Sequence, residues 1–506
     1  MNLIDFLKER VKQFGNKIFL RQGKVSITYK EFGILTDQMA AALQTLGLKK
    51  REHVAVLFPN SLDTLLSYFS IIKAGGTVIP INPVYTPREM AFILANSEAK
   101  ILLTAAPFRE KIQEIKPQTP LLSQIIFRKE TDPSIFSVLK KWASSPSALK
   151  PVDLAAEDKA IIFYTSGTLG QPKGVILTHG NFSFSGPNIA QAYGLKENDV
   201  TIAVLPLVHV FAVASPVFGS LSSGGTVVIM ERFQAESVLQ AIEYYGITWF
   251  PGVPTMFNYL YHAYEKMATN IKTLRMGLSG GASLSVELLK NWEKRFGAFI
   301  LEVYGLTEST GLVTANPVHG LRKPGSIGLT VPHVQTRLLD KEGQEVKQGE
   351  VGELIFKGPN ATKGYWKIPQ LTAETIRDGW VYTGDLAKQD EDGYFYIVGR
   401  KKELIITGGY NVYPREIEEV LYTHPAIYEA AVVGIPDEVK GEVPKAFITL
   451  HPGRSISEKE VIEFCKEYLA PYKIPKQVEI RKELPKSSTG KILHRELKGA
   501  KIEADK

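Results

Sequence analysis

Residues 164–174 read Tyr164-Thr165-Ser166-Gly167-Thr168-Leu169-Gly170-Gln171-Pro172-Lys173-Gly174, and no other stretch limits the fold as much. Three aliphatic hydroxyls, three glycines and a lysine fall within eleven residues. Glycines let backbone N–H groups approach an anion closely, hydroxyls donate to its oxygens, and a lysine neutralises its charge. Ala160-Ile161-Ile162-Phe163 before the loop and Val175-Ile176-Leu177-Thr178 after it have the composition of short strands. The pattern therefore predicts a phosphate loop at the tip of a β-hairpin. A Walker A loop, by contrast, ends Gly-Lys-Ser/Thr and opens a helix. Here Pro172 precedes Lys173, and Gly174 and a strand follow it. On composition alone, an exposed hairpin with ordinary turn residues remains the competing reading.

A chain of 506 residues is too long for one core and predicts two or more domains. The net charge of +7 is uneven: residues 473–506 hold ten Lys/Arg against five Asp/Glu. Such a basic tail could meet the phosphates of a cofactor, a nucleic acid or a membrane, or be a solvated surface. No basic stripe is interleaved with aromatics as a nucleic-acid groove requires, so no nucleic-acid partner is expected. Cys465 is the only cysteine, which excludes internal disulfides and cysteine zinc sites. Its surroundings, Val461 to Leu469, read as a helix with the thiol on or near the apolar side, a buried structural cysteine. Met1 to Arg10 is amphipathic rather than a signal peptide. The apolar region Leu65 to Ile81 is interrupted by Lys73-Ala74-Gly75-Gly76 and cannot fill a bilayer as a helix. The C-terminal Ala504-Asp505-Lys506 is no peroxisomal signal. The expectation is a cytoplasmic protein with no transmembrane segment.

Helix and strand patterns alternate through the first 300 or so residues. Tyr29 to Leu46 and Leu62 to Lys73 read as helices, and His53 to Phe58 and Thr77 to Ile81 as strands, which predicts an α/β fold of layered sheets. From about Gly325 the pattern turns strand-rich, with runs at Gln335–Leu339, Gly352–Phe356 and Gly393–Val398. Gly399-Arg400-Lys401-Lys402-Glu403 is a polar stretch between strand-like runs and the candidate domain boundary. Beyond it, Pro414 opens a helix with apolar residues at helical spacing, and about a hundred residues suffice for a small α+β domain.

Four further stretches carry chemistry. Tyr304-Gly305-Leu306-Thr307-Glu308 follows a strand-like run and presents an aromatic, a hydroxyl and a carboxylate where α/β proteins place ligands. Alone it serves equally as a capped turn. Gly280-Gly281-Ala282 would let a flat ligand lie against backbone, or simply turn the chain. Asp385, in Tyr382-Thr383-Gly384-Asp385, could reach two ribose hydroxyls, or merely form a turn. Ser487-Ser488-Thr489-Gly490-Lys491 repeats the hydroxyl–glycine–lysine theme near the C-terminus, where solvated tail is the alternative.

In that order, together with Gly399-Arg400-Lys401-Lys402-Glu403-Leu404-Ile405-Ile406-Thr407-Gly408-Gly409-Tyr410, these stretches resemble the adenylate-forming superfamily of acyl-CoA synthetases, adenylation domains and luciferases. The resemblance spans nearly the whole chain and is greatest to bacterial fatty-acid CoA ligases. It implies a large N-terminal adenylation domain (residues 1–401) of layered α/β sheets with a strand-rich subdomain, and a small, mobile α+β C-terminal domain (402–506) hinged at Lys402. It implies two half-reactions on ATP, Mg²⁺ and coenzyme A: a carboxylate attacks the α-phosphorus, giving an acyl-adenylate and pyrophosphate, and a thiol then displaces AMP. Thr165, Ser166, Gly167, Thr168 and Lys173 would hold the β- and γ-phosphates. Glu308, with Thr165 near it, would hold the metal. Thr307 and Lys491 would meet charge at the α-phosphate, Asp385 and Arg400 the ribose, and Tyr304 with Gly280, Gly281 and Ala282 the adenine. Gly408, Gly409, Lys440 and Tyr472 would contact coenzyme A. His209 would gate or orient the acid, though a buried structural histidine is the alternative. Phe211, Trp249 and Val253, with Phe250 and Met256 nearby, would line the acyl pocket or be ordinary core. No cation among them awaits a second carboxylate, which points to an apolar monocarboxylic acid, a medium- or long-chain fatty acid first and an aryl acid second. An enzyme passing the acyl group to a carrier protein or an amine is the competing reading, and the resemblance is compatible with a homodimer.

Overall fold

The computed structural model describes residues 1–129, 131, 134–135, 137–138, 148–165, 172–267, 269–487 and 490–498. Two large sheets organise the first 330 residues. One has six strands in the order Gln124–Arg128, Ile101–Ala105, His53–Leu57, Thr77–Pro80, Lys159–Thr165 and Lys173–Thr178, parallel except for the last pair. The other has nine, running from Leu329–Thr330 through Thr314–Ala315, Phe299–Tyr304, Met276–Ser279, Trp249–Gly252, Val200–Ala203, Thr226–Ile229 and Ile18–Gln22 to Val25–Thr28. Successive side chains of a strand point to opposite faces. Val54 and Val56 accordingly enter the core shared by both sheets, while Ala55 and Leu57 enter a second one behind the six-stranded sheet. A parallel sheet covered on both faces reads as a continuous apolar run, and His53–Leu57 is buried throughout.

Helices fill the space between the sheets. Leu62–Lys73 starts at an N-cap, where Ser61 Oγ accepts the Thr64 N–H, and every residue from Asp63 to Lys73 is buried. Its apolar surface runs all round because it has no solvent face. The one cation there, Lys73, is buried with its ammonium donating to Asp37 Oδ1 at 2.7 Å and to the Gly33 carbonyl. An aromatic file, Phe19–Phe32–Phe69–Phe218–Phe182, links the nine-stranded sheet to these helices, with ring centroids 4.7–5.4 Å apart.

Residues 335–400 form a five-stranded antiparallel sheet, the strand-rich unit expected from the sequence. In it Phe395–Arg400 pairs with Trp380–Gln389 so that Asp385 lies directly opposite Arg400. The C-terminal part has its own sheet, Tyr410–Val412, Ile405–Thr407, Gly441–Leu450 and Ile427–Asp437, with Gln477–Ile480 parallel to Gly441–Leu450. The helices Pro414–Tyr422 and Glu458–Tyr468 enclose a separate core that includes Ile417, Leu421, Ala446, Ile448 and Cys465. Cys465 is fully buried, and burial pushes its thiol up to about 11, as an inert core group. The architecture is thus a large N-terminal α/β body and a small α+β C-terminal domain. No helix among the described residues is long and apolar enough to cross a membrane.

Candidate active site

The glycine-rich stretch joins two antiparallel strands, Lys159–Thr165 and Lys173–Thr178, with Thr165 paired to Lys173. This is the expected hairpin, and the second strand starts at the lysine itself. Ser166, Gly167 and Thr168 lie outside the described residues. The Lys173 ammonium sits over the Tyr365 ring, 5.3 Å from its centroid. Its pKa is lowered, by desolvation first and by the positive charge of Lys402 as well, while Glu308 acts in the opposite sense. Glu308 lies in the 3₁₀ turn Thr307–Ser309, where the Tyr365 hydroxyl donates to its Oε1 at 2.7 Å and its carbonyl accepts the Thr362 N–H. Lys173 and Glu308 therefore meet at Tyr365, with Thr165 paired to Lys173 and Thr307 next to Glu308 in its turn. Sequence reasoning missed Tyr365, because 57 residues separate it from Glu308 and no local pattern joins them.

The second group collects at the C-terminal ends of three adjacent parallel strands, Trp249–Gly252, Met276–Ser279 and Phe299–Tyr304, the edge at which open α/β sheets bind ligands. The Tyr304 hydroxyl donates to Asp385 Oδ2 at 2.7 Å, and Arg400 Nε pairs with Asp385 Oδ1 at 2.8 Å. The Asp385 charge raises the pKa of Arg400, and Thr383 Oγ1 accepts the Asp385 N–H. Asp385 is buried, so both of its oxygens are held in fixed directions. Gly280 follows the middle strand, and a Cβ there would lie 3.3 Å from the Phe211 ring. Phe211, Gly280, Gly281, Ala282 and Tyr304 thus share one edge. His209 caps the short helix Val210–Ala212 at the same end of the fold, and desolvation lowers its pKa to about 4, so its imidazole is neutral near pH 7. After it the chain forms a π-helical turn, Val213–Gly219, which the sequence pattern does not announce.

The small domain reaches this edge. Thr255 Oγ1 donates to the Gly490 carbonyl at 3.5 Å, and a Cβ on Gly490 would meet Thr255 and Val253. Arg415 Nη2 donates to the Leu284 carbonyl at 3.4 Å. The next residue after Gly490, Lys491, feels the charges of Arg400, Asp385 and Glu403. Solvent reaches its side chain, yet crowding by protein lowers its pKa, through desolvation first and Arg400 second. Val253, Thr255, Asp385, Arg400 and Lys491 are therefore neighbours although they lie far apart in the sequence.

Trp249 is set apart from this group. It opens the strand whose far end leads to Val253, and it is fully buried against Tyr193, its Nε1 without a hydrogen-bond partner. The residues expected to meet coenzyme A form a cluster of their own on the small domain. Gly408 and Gly409 make the turn between Ile405–Thr407 and Tyr410–Val412 with φ of +55° and +85°, a backbone only glycine adopts without strain. The Gly408 N–H donates to the Lys440 carbonyl, and Tyr472 stacks on Tyr410 at 4.6 Å. Among the described residues no group of three or more His, Cys, Asp or Glu side chains could hold a metal ion.

Comparison with known proteins agrees with this geometry. Residues 7–366 match the family described as AMP-binding enzyme, and residues 416–491 match the AMP-binding enzyme C-terminal domain. The chain is 36% identical over 526 residues to the long-chain-fatty-acid–CoA ligase of Bacillus subtilis (strain 168), covering 98% of this chain and 94% of that protein. It is 34% identical over 504 residues to the oxalate–CoA ligase of Arabidopsis thaliana, covering 97% of each. The structure superposes on that of the anthranilate CoA ligase AuaEII in complex with anthranoyl-AMP with a TM-score of 0.92 and 29% identity, covering 98% of this chain and 96% of that one. The chain belongs to the AMP-binding enzyme family and is an AMP-forming, ATP-dependent acyl-CoA ligase.

Proposed function

We propose that the acid is an apolar monocarboxylate, a medium- or long-chain fatty acid, and that the two groups described above divide the chemistry between them. The observation that carries the assignment of roles is the meeting of Lys491 with the Tyr304–Asp385–Arg400 cluster at the strand ends. Asp385, with Arg400, takes the ribose hydroxyls, and Tyr304 with Gly280, Gly281 and Ala282 encloses adenine. Lys173 and Thr165, together with Ser166, Gly167 and Thr168, hold the β- and γ-phosphates. Both partners of the first step are anions, so fixed positive charge must screen their approach. Lys491 and Thr307 act at the α-phosphate as the acid oxygen bonds to phosphorus and the bond to pyrophosphate breaks. His209, neutral at the working pH, orients the acid without competing for its charge.

Glu308 is the side chain suited to Mg²⁺, since Tyr365 occupies one carboxylate oxygen and leaves the other. With no cluster of three ligating side chains among the described residues, Glu308 and Thr165 would share the ion with phosphate oxygens, as Mg²⁺ sites at nucleotides usually do. When bound, the ion would neutralise charge on the departing pyrophosphate.

For the second step the small domain, residues 402–506, turns about Lys402 in the exposed segment between Phe395–Arg400 and Ile405–Thr407. Lys491 then leaves, and the Gly408–Gly409 turn, with Lys440 and Tyr472, comes to the thiol of coenzyme A, whose sulfur attacks the acyl carbon as AMP departs. An apolar acid is supported by Phe211, Val253 and Met256, none of which could hold a second carboxylate, and by the name of the Bacillus relative. An acid panel read by AMP release, with and without coenzyme A, tests the proposal. Release with aliphatic acids that rises with coenzyme A is expected. Release only with aryl acids, favoured by the likeness to the anthranilate ligase, would replace the fatty-acid assignment.

A further inference from the structure

Lys491 sits in a small hairpin closed by bonds between its own two sides. The Ser487 N–H donates to the Lys491 carbonyl at 2.8 Å, the Lys491 N–H to Ser487 Oγ at 3.2 Å, and the Leu493 N–H to the Pro485 carbonyl at 2.8 Å. Ile492 packs the hairpin against the apolar cluster of Ala431, Val433 and Phe447, and two ionic feet flank it. On the entering side, Lys486 Nζ pairs with the buried Glu429 on the strand Ile427–Asp437 at 2.7 Å. On the leaving side, three residues beyond Lys491, His494 Nε2 pairs with Glu418 Oε1 on the helix Pro414–Tyr422 at 2.9 Å. The same Glu418 oxygen accepts the Val432 N–H at 2.8 Å, so one carboxylate ties helix, strand and catalytic hairpin together.

We infer that His494, through Glu418, is a positioning residue for the adenylation step: while protonated it holds Lys491 at the nucleotide site, and on losing its proton it lets the hairpin loosen. The inference rests on the assignment of Lys491 to that step.

The surroundings of His494 favour its cationic form. Burial works against the charge, but the Glu418 hydrogen bond and charge outweigh it, Glu403 adds to them, and Lys491 subtracts, so the pKa is raised. The other charged groups nearby are already committed. On the same helix Glu419 pairs with Arg415 and the Tyr422 hydroxyl donates to the Ala430 carbonyl. On the neighbouring strands Glu429 holds Lys486, and Glu442 holds Lys498. A raised folded-state pKa means that the ionic part of the foot is present while the imidazole is protonated and is lost as pH rises through that value. The Lys486 foot stays charged across the same range, because Glu429 raises an ammonium pKa that is already high. Of the two feet, only the His494 one rests on a side chain whose ordinary pKa is close to neutral, and its surroundings raise that pKa.

The test compares the two half-reactions from about pH 6 to about pH 9. Lys491→Ala is measured first. If it keeps normal ATP–pyrophosphate exchange, the assignment of Lys491 is wrong and the failure lies there. If exchange collapses while a supplied acyl-adenylate is still consumed by coenzyme A, the question of His494 is open to measurement. His494→Gln should then slow exchange about tenfold at neutral pH, the scale of a slightly misplaced reacting group, and leave thioester formation unchanged. Glu418→Gln should do the same. His494→Arg keeps a charge at all these pH values, so it should restore exchange and move its alkaline fall to higher pH than in the wild type. Wild-type exchange and an unmoved pH profile in His494→Gln would overturn the inference. So would equal loss of both half-reactions that His494→Arg fails to rescue.

Discussion

Asp385→Asn separates a ribose anchor from a structural ion pair. The carboxylate accepts from Tyr304 at 2.7 Å and pairs with Arg400 at 2.8 Å, and it is buried. Asparagine keeps the shape and can still accept from Tyr304, but it removes the charge facing Arg400. The Arg400 side chain is 44% exposed, so water screens the pair and its share of stability is about 1 kcal/mol or less. Weakening the buried Tyr304 bond adds about another 1 kcal/mol. The nucleotide should feel the change more. Two charge-assisted bonds to a ribose diol are worth about 2 kcal/mol each, and a carboxamide retains roughly 1 kcal/mol of that total. The loss, about 3 kcal/mol, corresponds to roughly two decades in kcat/KM for ATP. ATP–pyrophosphate exchange with ATP, 2′-deoxy-ATP and 3′-deoxy-ATP reads the effect. The wild type should discriminate against both deoxy analogues, and Asp385→Asn should treat all three nearly alike. A variant that is slow but still discriminates would refute the ribose assignment, because its defect would then lie elsewhere.

Lys402→Pro fixes φ in the segment proposed as the pivot, while the neighbouring bonds use other amides, Lys401 N–H to Gly384 and Glu403 N–H to Arg400. Thioester formation should fall at least about tenfold more than adenylation, and single-turnover assays of each step showing equal losses would count against a pivot there. Lys491→Ala should lower adenylation by about two to three decades, the usual cost of removing a preorganised charge at a developing anion, as measured by pyrophosphate exchange. Gly305→Ala should cost about 1–3 kcal/mol and abolish exchange, since a Cβ there would overlap the Gly311 carbonyl and spread the turn that carries Thr307 and Glu308. Thermal melting beside wild type checks it, and an unchanged midpoint would show that the turn yields easily.

What could be read from the chain alone depended on how far apart the cooperating residues lie. The helix Leu62–Lys73 was readable because its caps and apolar pattern are local, and the phosphate hairpin because its chemistry is packed into eleven contiguous residues. The π-helical turn Val213–Gly219 was not, since Pro216 and Gly219 argue against any helix there. The register that sets Asp385 opposite Arg400, the Tyr365–Glu308 bond and the meeting of Gly490 with Thr255 arise only in the folded chain. Carboxylates make the point sharply. Glu302, Glu308 and Asp385 all stand at or near the site, and as residue types they are interchangeable oxygen ligands. The fold makes them different. Glu302 is buried beside Ile300 and Leu301, accepts the Gly325 N–H at 2.8 Å, and is pushed up to about 8 by desolvation. Near pH 7 it is mostly protonated and cannot serve a cation. Asp385 already faces the Arg400 guanidinium, which balances its charge and suits it to neutral hydroxyls rather than to a metal ion. Among the described residues Glu308 has the Tyr365 hydroxyl on one oxygen and keeps the other, so burial and hydrogen bonding, rather than residue type, assign it the proposed ion.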